Sequence, residues 1–211
     1  GIEETKLFLT YAKGHRYYNL FVVALETGMR IGELKGLYWS DIDFEKRALY
    51  VRRTMCHIHG ENGYYFEAHD PKTFNGKRLI PLTNVCIDAL IRQKLLNETR
   101  IKKRKCWDFK DLVFPTSSGK PLQEVSAIDT INEILNKMEA DGICIKKFTP
   151  HAFRHTFATR AIENGMNPKT LQKILGHSSL QMTMDLYCHV SDETLFDEMK
   201  KMENQNGVKV V

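Results

Sequence analysis

The amino-acid sequence predicts a mostly helical α+β fold with a small antiparallel sheet, on three observations. Ile128, Ile131, Ile134, Leu135 and Met138 recur mostly at spacings of three and four, the period of a helix with one buried face. ALYVRRTM, residues 48 to 55, has the Val, Tyr and Thr content of a strand, and Asn75-Gly76 is a favoured hairpin pair. Pro150 and Pro168 stand where helices open, because a proline in the first turn removes no internal hydrogen bond. At 211 residues, 42% of them hydrophobic, the chain is long enough for one good core, or for a domain with a smaller lobe.

Taken in order, residues 3 to 27 read as two helices broken near Lys13 to His15. The second, in YYNLFVVALETG, is apolar enough to be well buried and stops at Gly28. IGELKGL forms a short helix just past Arg30, and a turn at Ser40 to Asp43 leads into the strand at 48 to 55. Between Cys56 and Leu82, a turn at Asn75-Gly76 joins two short strands, with Lys72 close to its tip. One long helix runs from Thr83 to Lys105, with Val85, Ile87, Leu90, Ile91 and Leu95 as its apolar face. The cationic run Lys102 to Lys105 falls at its C-terminal end, which the helix dipole favours. LVFPTSSGKPL is a strand stub and a loop, and Val125 to Glu139 is helical. HAFRHTFATRAIENG follows Thr149-Pro150 as a helix, and KTLQKILG follows Asn167-Pro168 as another. Two last helices span about Leu180 to Tyr187 and Ser191 to Met202, and NQNGVKVV is a loose tail.

Composition narrows the function classes. The 31 Lys and Arg against 26 Asp and Glu give a net charge of +5, a mild excess that suits a polyanionic partner without requiring one. Five scattered cysteines without CxxC spacing read as reduced cytosolic thiols, and Cys56, His57, His59, Cys188 and His189 lack a zinc-binding spacing. No apolar run approaches the roughly 20 residues that span a bilayer. The GIEETKLF start, without an initiator methionine, is expected of a fragment, with further domains before it.

Several cationic side chains have the spacing of a phosphate site. On a helix, His151 and Arg154 share a face opposite Phe153, Phe157, Ala158 and Ala161, so both point into whatever that helix borders. Arg30 precedes Glu33 by one helical turn, and that carboxylate can aim its donor fork at a phosphate. Gly176 closes a short helix and puts His177 just beyond it, while Tyr187 ends a helix rich in Met and Leu. Each has an ordinary alternative: a solvated histidine and arginine, a snorkelling arginine, a surface lysine at Lys72, a satisfied structural histidine, an amphipathic tyrosine at a core edge. Together they supply every part of a metal-free phosphodiester transfer. A phenol is a poor nucleophile at neutral pH and needs a base or a positive field. Two arginines and a histidine hold the charge of the transition state, and a lysine protonates the departing oxygen.

Arg30 in TGMRIGEL, Lys72 in DPKTFNGKRLIPL, HAFR at 151 to 154, LGH at 175 to 177 and Tyr187 in LYCH match, in order and spacing, a known pattern. The chain resembles the catalytic domain of tyrosine recombinases, the phage-type integrases, and looks closest to integrases of conjugative transposons. The resemblance implies that family's catalytic-domain fold over residues 1–190, with 191–211 as a C-terminal segment docking on a neighbouring protomer. Arm-binding and core-binding domains would precede it. Arg30 and Arg154 would grip the scissile phosphate, with Glu33 supporting Arg30. His151 would assist proton transfer at the tyrosine, and His177 would donate to a phosphate oxygen. Lys72 would be the general acid toward the 5'-oxygen, and Tyr187 the nucleophile forming a 3'-phosphotyrosyl link. No cofactor, ATP or metal is then required. The implied function is site-specific DNA recombination, the integration and excision of a mobile element. Type IB topoisomerase-like relaxation and non-catalytic DNA binding are the alternatives. Expected partners are double-stranded DNA, other protomers in a tetramer, and an excisionase or accessory DNA-bending protein, in a bacterial cytoplasm. Arg52, Arg53, Lys77, Arg78, Lys102 and Lys103 are the expected DNA contacts, through phosphates and so with little sequence information.

Overall fold

The computed structural model describes residues 2–61, 63–71, 74–103 and 107–187. Its first two helices are α1 (Ile2–Ala12) and α2 (Tyr18–Thr27). Leu20, Phe21, Val22, Val23, Ala24 and Leu25 are all buried, so α2 is apolar nearly all round and runs through the core. It stops at Gly28, whose φ of 63° is left-handed and whose N–H returns to the Ala24 carbonyl at 3.0 Å. The short α3 (Ile31–Lys35) follows at once.

Five strands come next: β1 (Ile42–Asp43), β2 (Ala48–Val51), β3 (Thr54–Gly60), β4 (Gly63–His69) and β5 (Arg78–Pro81). They form two sheets, an antiparallel trio in the order β1-β2-β5 and a separate β3-β4 ribbon. Two expectations are corrected here. The single strand at 48 to 55 is broken, because Arg53 turns away to hydrogen-bond Asp41 and the Gly36 carbonyl and to lie over the Tyr38 ring. The Asn75-Gly76 pair closes no hairpin either. Phe74–Gly76 is a single 3-10 turn linking strands of different sheets, and the hairpin lies where Gly60 pairs with Gly63.

The remaining helices are α4 (Asn84–Lys102), α5 (Glu124–Ala140), α6 (His151–Glu163), α7 (Pro168–Leu175) and α8 (Gln181–Met184). Thr83 caps α4 by accepting from the Cys86 N–H, and Asn167 caps α7 by accepting from the Lys169 N–H. Arg104 and Lys105, expected at the end of α4, lie outside the described residues, as does everything after Tyr187. The expected helix at 180 to 187 is only the one turn of α8.

The buried face of α4 differs from the expected one. Val85, Ile91 and Leu95 are 54%, 46% and 59% exposed, whereas Cys86, Ala89, Leu90, Gln93 and Asn97 are buried. Two polar residues complete that stripe because a hydrogen-bonded chain satisfies them. Asn19 donates to Gln93, Gln93 donates to Asn97, and Asn97 donates to the Leu112 and Val113 carbonyls. Elsewhere the core is aromatic: Phe8, Phe21, Phe148 and Phe153 meet with centroids 5.2–5.7 Å apart and bind α1, α2 and α6 together. A smaller cluster of Ala158, Ala161, Leu171 and Leu175 joins α6 to α7. No described helix is long and apolar enough to cross a membrane.

The orientation of α4 is testable by urea denaturation. Truncating fully buried Leu90 in Leu90→Ala should cost about 2–5 kcal/mol. Leu95→Ala, on the exposed side, should change stability by no more than about 0.5 kcal/mol. Equal losses would mean the helix is rotated.

Candidate active site

The site begins at the break between α2 and α3. Arg30 has extended backbone there, φ −70° and ψ 150°, as the N-terminal cap residue of α3. The Glu33 carboxylate, one turn later, accepts from the Arg30 backbone N–H at 2.9 Å and from its guanidinium at 3.0 Å. Arg30 keeps 40% of its side chain exposed while Glu33 keeps 2%. The carboxylate is thus buried and the guanidinium faces outward from it. Arg78 completes the set from β5, with both terminal nitrogens on the Glu33 oxygens at 3.0 and 2.9 Å. Burial alone would raise the Glu33 pKa; the Arg78 hydrogen bonds and charge, then Arg30, outweigh it and hold the carboxyl below its usual range.

Arg154 enters from the first turns of α6 and is buried. It donates to the Gly28 carbonyl at 2.9 Å and to the Leu175 carbonyl at 2.8 Å, so it is clamped between the ends of α2 and α7. Burial, and next the charge of Arg30, push its pKa down to about 9, which still leaves it protonated at neutral pH. Three guanidinium groups therefore share this region with one carboxylate. Such an excess suits an anion.

His177 follows the left-handed Gly176 and is buried. Its Nδ1 lies 2.9 Å from the Thr183 hydroxyl, and its carbonyl accepts from the Asn75 and Gln172 amides. Burial, then the charges of Arg154, Arg30 and Arg78, push its pKa down to about 4, so the imidazole is neutral at physiological pH. His151 is exposed, with its ring 4.8 Å from that of His155. Burial, then His155, Arg154 and Arg30, lower its pKa too. Arg30, Glu33, His151, Arg154 and His177 thus form one electrostatically connected group drawn from three parts of the chain.

Tyr187 is placed apart from this group. Its hydroxyl donates to the Met166 carbonyl, and the ring packs on the small α6–α7 core. The Met166 N–H bonds Ala161, whose position on α6 lies roughly 10 Å of helical rise from Arg154. Desolvation raises the Tyr187 pKa. Lys72, expected as general acid, lies outside the described residues.

The expected DNA contacts divide. Arg52 is 55% exposed and lies over the Tyr50 ring, and Lys77 is exposed with Asp70 at 2.7 Å. These two border a groove of about 680 Å³ between the sheets, which Arg53 and His69 also line. Lys102 and Lys103 are exposed at the end of α4. Arg53 is largely committed to Asp41, and Arg78 is buried on Glu33, donating its Nε–H to the Ile174 carbonyl. Arg78, expected as a DNA contact, lines the same groove but has its guanidinium engaged by Glu33, with its side chain 5% exposed. A sequence signal for this existed, since strand alternation puts residue 78 on the same side as buried Ile80. Among the described residues, no three His, Cys, Asp or Glu side chains are grouped to hold a metal.

Residues 3–194 match the model of the phage integrase family. The chain is 37% identical over 199 residues to a XerC-like tyrosine recombinase of Caldanaerobacter subterraneus subsp. tengcongensis, covering 89% of this chain and 49% of that protein. It is 30% identical over 210 residues to the transposase from transposon Tn916 of Enterococcus faecalis, covering 96% of this chain and 50% of that one. Among solved structures, the Tn1549 transposon integrase in complex with circular intermediate DNA superposes with a TM-score of 0.78 at 33% identity, over 95% of this chain and 65% of that one. The chain spans about half the length of the curated relatives it matches. With its helices around a small antiparallel sheet and its match over nearly the whole length, the chain belongs to the phage integrase family, as a tyrosine recombinase catalytic domain similar to transposon integrases.

Proposed function

We propose that this chain cuts and rejoins DNA through a 3'-phosphotyrosyl link, as the catalytic part of a site-specific recombinase that integrates and excises a mobile element. The observation that carries the reading is the convergence of Arg30 and Arg154, from distant parts of the chain, beside a neutral His177. The two guanidinium groups would hold the non-bridging oxygens of one scissile phosphate and stabilise the charge of its transition state. In the neutral tautomer in which Nδ1 accepts from Thr183, the hydrogen sits on Nε2, and His177 would donate it to that phosphate without adding charge. Tyr187 would attack phosphorus and His151 would take the phenolic proton. The bond to the 5'-oxygen breaks as Lys72 gives it a proton. A 5'-hydroxyl from another strand reverses these steps.

For attack, the Tyr187 hydroxyl must leave the Met166 carbonyl and travel along α6 toward the arginines. One hydrogen bond of this kind contributes about 1 kcal/mol, so DNA contacts or a neighbouring protomer can offset its loss. The phenol then moves from a site where desolvation raises its pKa to one where cations favour the phenolate. The same displacement favours a second reading, DNA binding without chemistry, if the hydroxyl never moves.

Double-stranded DNA is the proposed partner, supported by the DNA-bound state of the Tn1549 integrase and by Arg52, Lys77, Lys102 and Lys103. A tetramer on two duplexes, preceding arm-binding and core-binding domains, an excisionase or DNA-bending accessory, and nucleoid association rest on the family resemblance. So does docking of Ser191 to Val211 on a neighbour; that segment lies outside the described residues.

Incubation with a nicked suicide duplex should leave a covalent adduct that survives denaturant, and Tyr187→Phe should abolish it. No adduct from the wild-type chain on cognate DNA would leave only the binding reading. Arg154→Ala should slow cleavage by about 10²–10³-fold while duplex affinity stays within a few-fold, because it removes transition-state stabilisation. Single-turnover rates and fluorescence anisotropy measure the two. His177 also has a pH signature. Its folded pKa, about 4, lies below the unfolded value near 6.5, so the unfolded chain binds the proton more readily between them. Its contribution to stability is complete above pH 6.5 and is lost as pH falls toward 4. His177→Gln should flatten that part of the urea-midpoint profile.

A further inference from the structure

Arg78 has an unusual set of partners for a residue on an edge of a three-stranded sheet. Its Nη1 donates to Glu33 and to the Gly76 carbonyl, its Nη2 to the other Glu33 oxygen, and its Nε to the Ile174 carbonyl. The carboxylate it grips is filled: each Glu33 oxygen accepts once from Arg30 and once from Arg78. A carboxylate has about four such acceptor sites, so none remains for water or for a competing cation. One face of Arg78 therefore fixes Glu33 and, through it, Arg30. Its Nε reaches the last turn of α7, whose Leu175 carbonyl clamps Arg154 and whose exit carries His177.

Gly176 is shaped around this arrangement. A Cβ there would fall 3.0 Å from Arg78 Nη1 and 2.9 Å from the Asn75 carbonyl oxygen, and its φ of 68° is left-handed besides. The Asn75 side chain, from the same turn, donates to the His177 carbonyl. Helix α7, the 74–76 turn and the start of α3 thus meet on one guanidinium.

We propose that Arg78 is a positioning residue for the phosphate pocket: it locks Glu33 against Arg30 and ties the 74–76 turn to α7, so that Arg30, Arg154 and His177 keep one fixed geometry. The role rests on the recombinase reading above, in that the fixed geometry serves phosphoryl transfer. Arg78 itself touches no phosphate. A planar, always-charged fork with donors in several directions is what this task needs, and lysine supplies only a point charge. A displacement of about 1 Å in such a site costs roughly 10²-fold in rate.

The test compares the wild-type chain with Arg78→Met, Arg78→Lys and Gly176→Ala on a fluorescein-labelled nicked suicide duplex. Arg78→Met should keep the wild-type duplex affinity and the wild-type slope of log affinity against log salt, while single-turnover cleavage falls about 10²-fold. The acid limb of its cleavage profile should move to higher pH, because Glu33 loses its strongest charge partner. Arg78→Lys should recover part of the rate, and Gly176→Ala should reproduce the loss without touching the charge. A salt slope reduced by roughly 0.9, the value for one lost phosphate contact, would overturn the proposal in favour of direct DNA binding. So would cleavage within a few-fold of wild type, or a slower rate with an unmoved pH profile. If Arg78→Met does not fold, Arg78→Lys carries the same comparisons. If the wild-type chain forms no adduct, the recombinase reading fails separately, and carbon-13 titration of Glu33 still decides: its midpoint must rise in the Arg78 variants, and an unchanged midpoint overturns the lock.

Discussion

One buried carboxylate, Glu33, organises the electrostatics of the candidate site. Glu33 is almost fully enclosed, and a charged group taken out of water is costly unless it is paired and hydrogen-bonded on every side. Here Arg30 and Arg78 supply all four donors. The constraint runs in both directions, since the arginines make Glu33 acceptable in the interior, and Glu33 holds Arg30 while sharing Arg78 with the Gly76 and Ile174 carbonyls. Strand β5, helix α3 and, through Ile174, helix α7 are consequently registered against one another near the phosphate pocket.

One carboxylate does not balance the pocket. Arg154 is clamped by the carbonyl oxygens of Gly28 and Leu175, which orient it without neutralising it, and His177 stays uncharged beneath the field of its neighbours. The depressed pKa values of Arg154, His151 and His177 share a first cause, burial, and further causes in mutual repulsion. A phosphate placed among them would offset that repulsion. Preorganisation of this kind means that donors need not reorient when charge develops on the transferring group.

Tyr187, the proposed nucleophile, is held by different physics. Tyr187 belongs to a small apolar cluster on α6 and α7, and its hydroxyl has found a backbone carbonyl. In the proposed reaction, cations held on helix ends and a tyrosine held by one hydrogen bond would divide the labour: the phosphate site would be built in advance, and the reacting oxygen would arrive by a local movement.

Local patterns reached far into this structure. The left-handed stops at Gly28 and Gly176, the proline-opened helices at 150 and 168, and the one-turn spacing of Arg30 and Glu33 follow from backbone geometry within a few residues. Their sequence signals were accordingly plain. Other features depended on partners distant in the chain. Asn97 can occupy the core side of α4 only because the Leu112 and Val113 carbonyls wait there, and that turned the helix away from its most apolar residues. Arg53 broke a strand by reaching Asp41, and Asn75-Gly76 gave up a hairpin turn as Asn75 bonded His177. The ion pair of Arg78 with Glu33 joins residues 45 positions apart, and the resting place of the Tyr187 hydroxyl is a carbonyl no periodicity points to. Amino-acid order by itself determined most helix starts and stops and the local pairing of Arg30 with Glu33. Tertiary structure alone decided which charges are buried and which partner each polar group meets, because desolvation and long-range hydrogen bonding act between residues that only folding brings together.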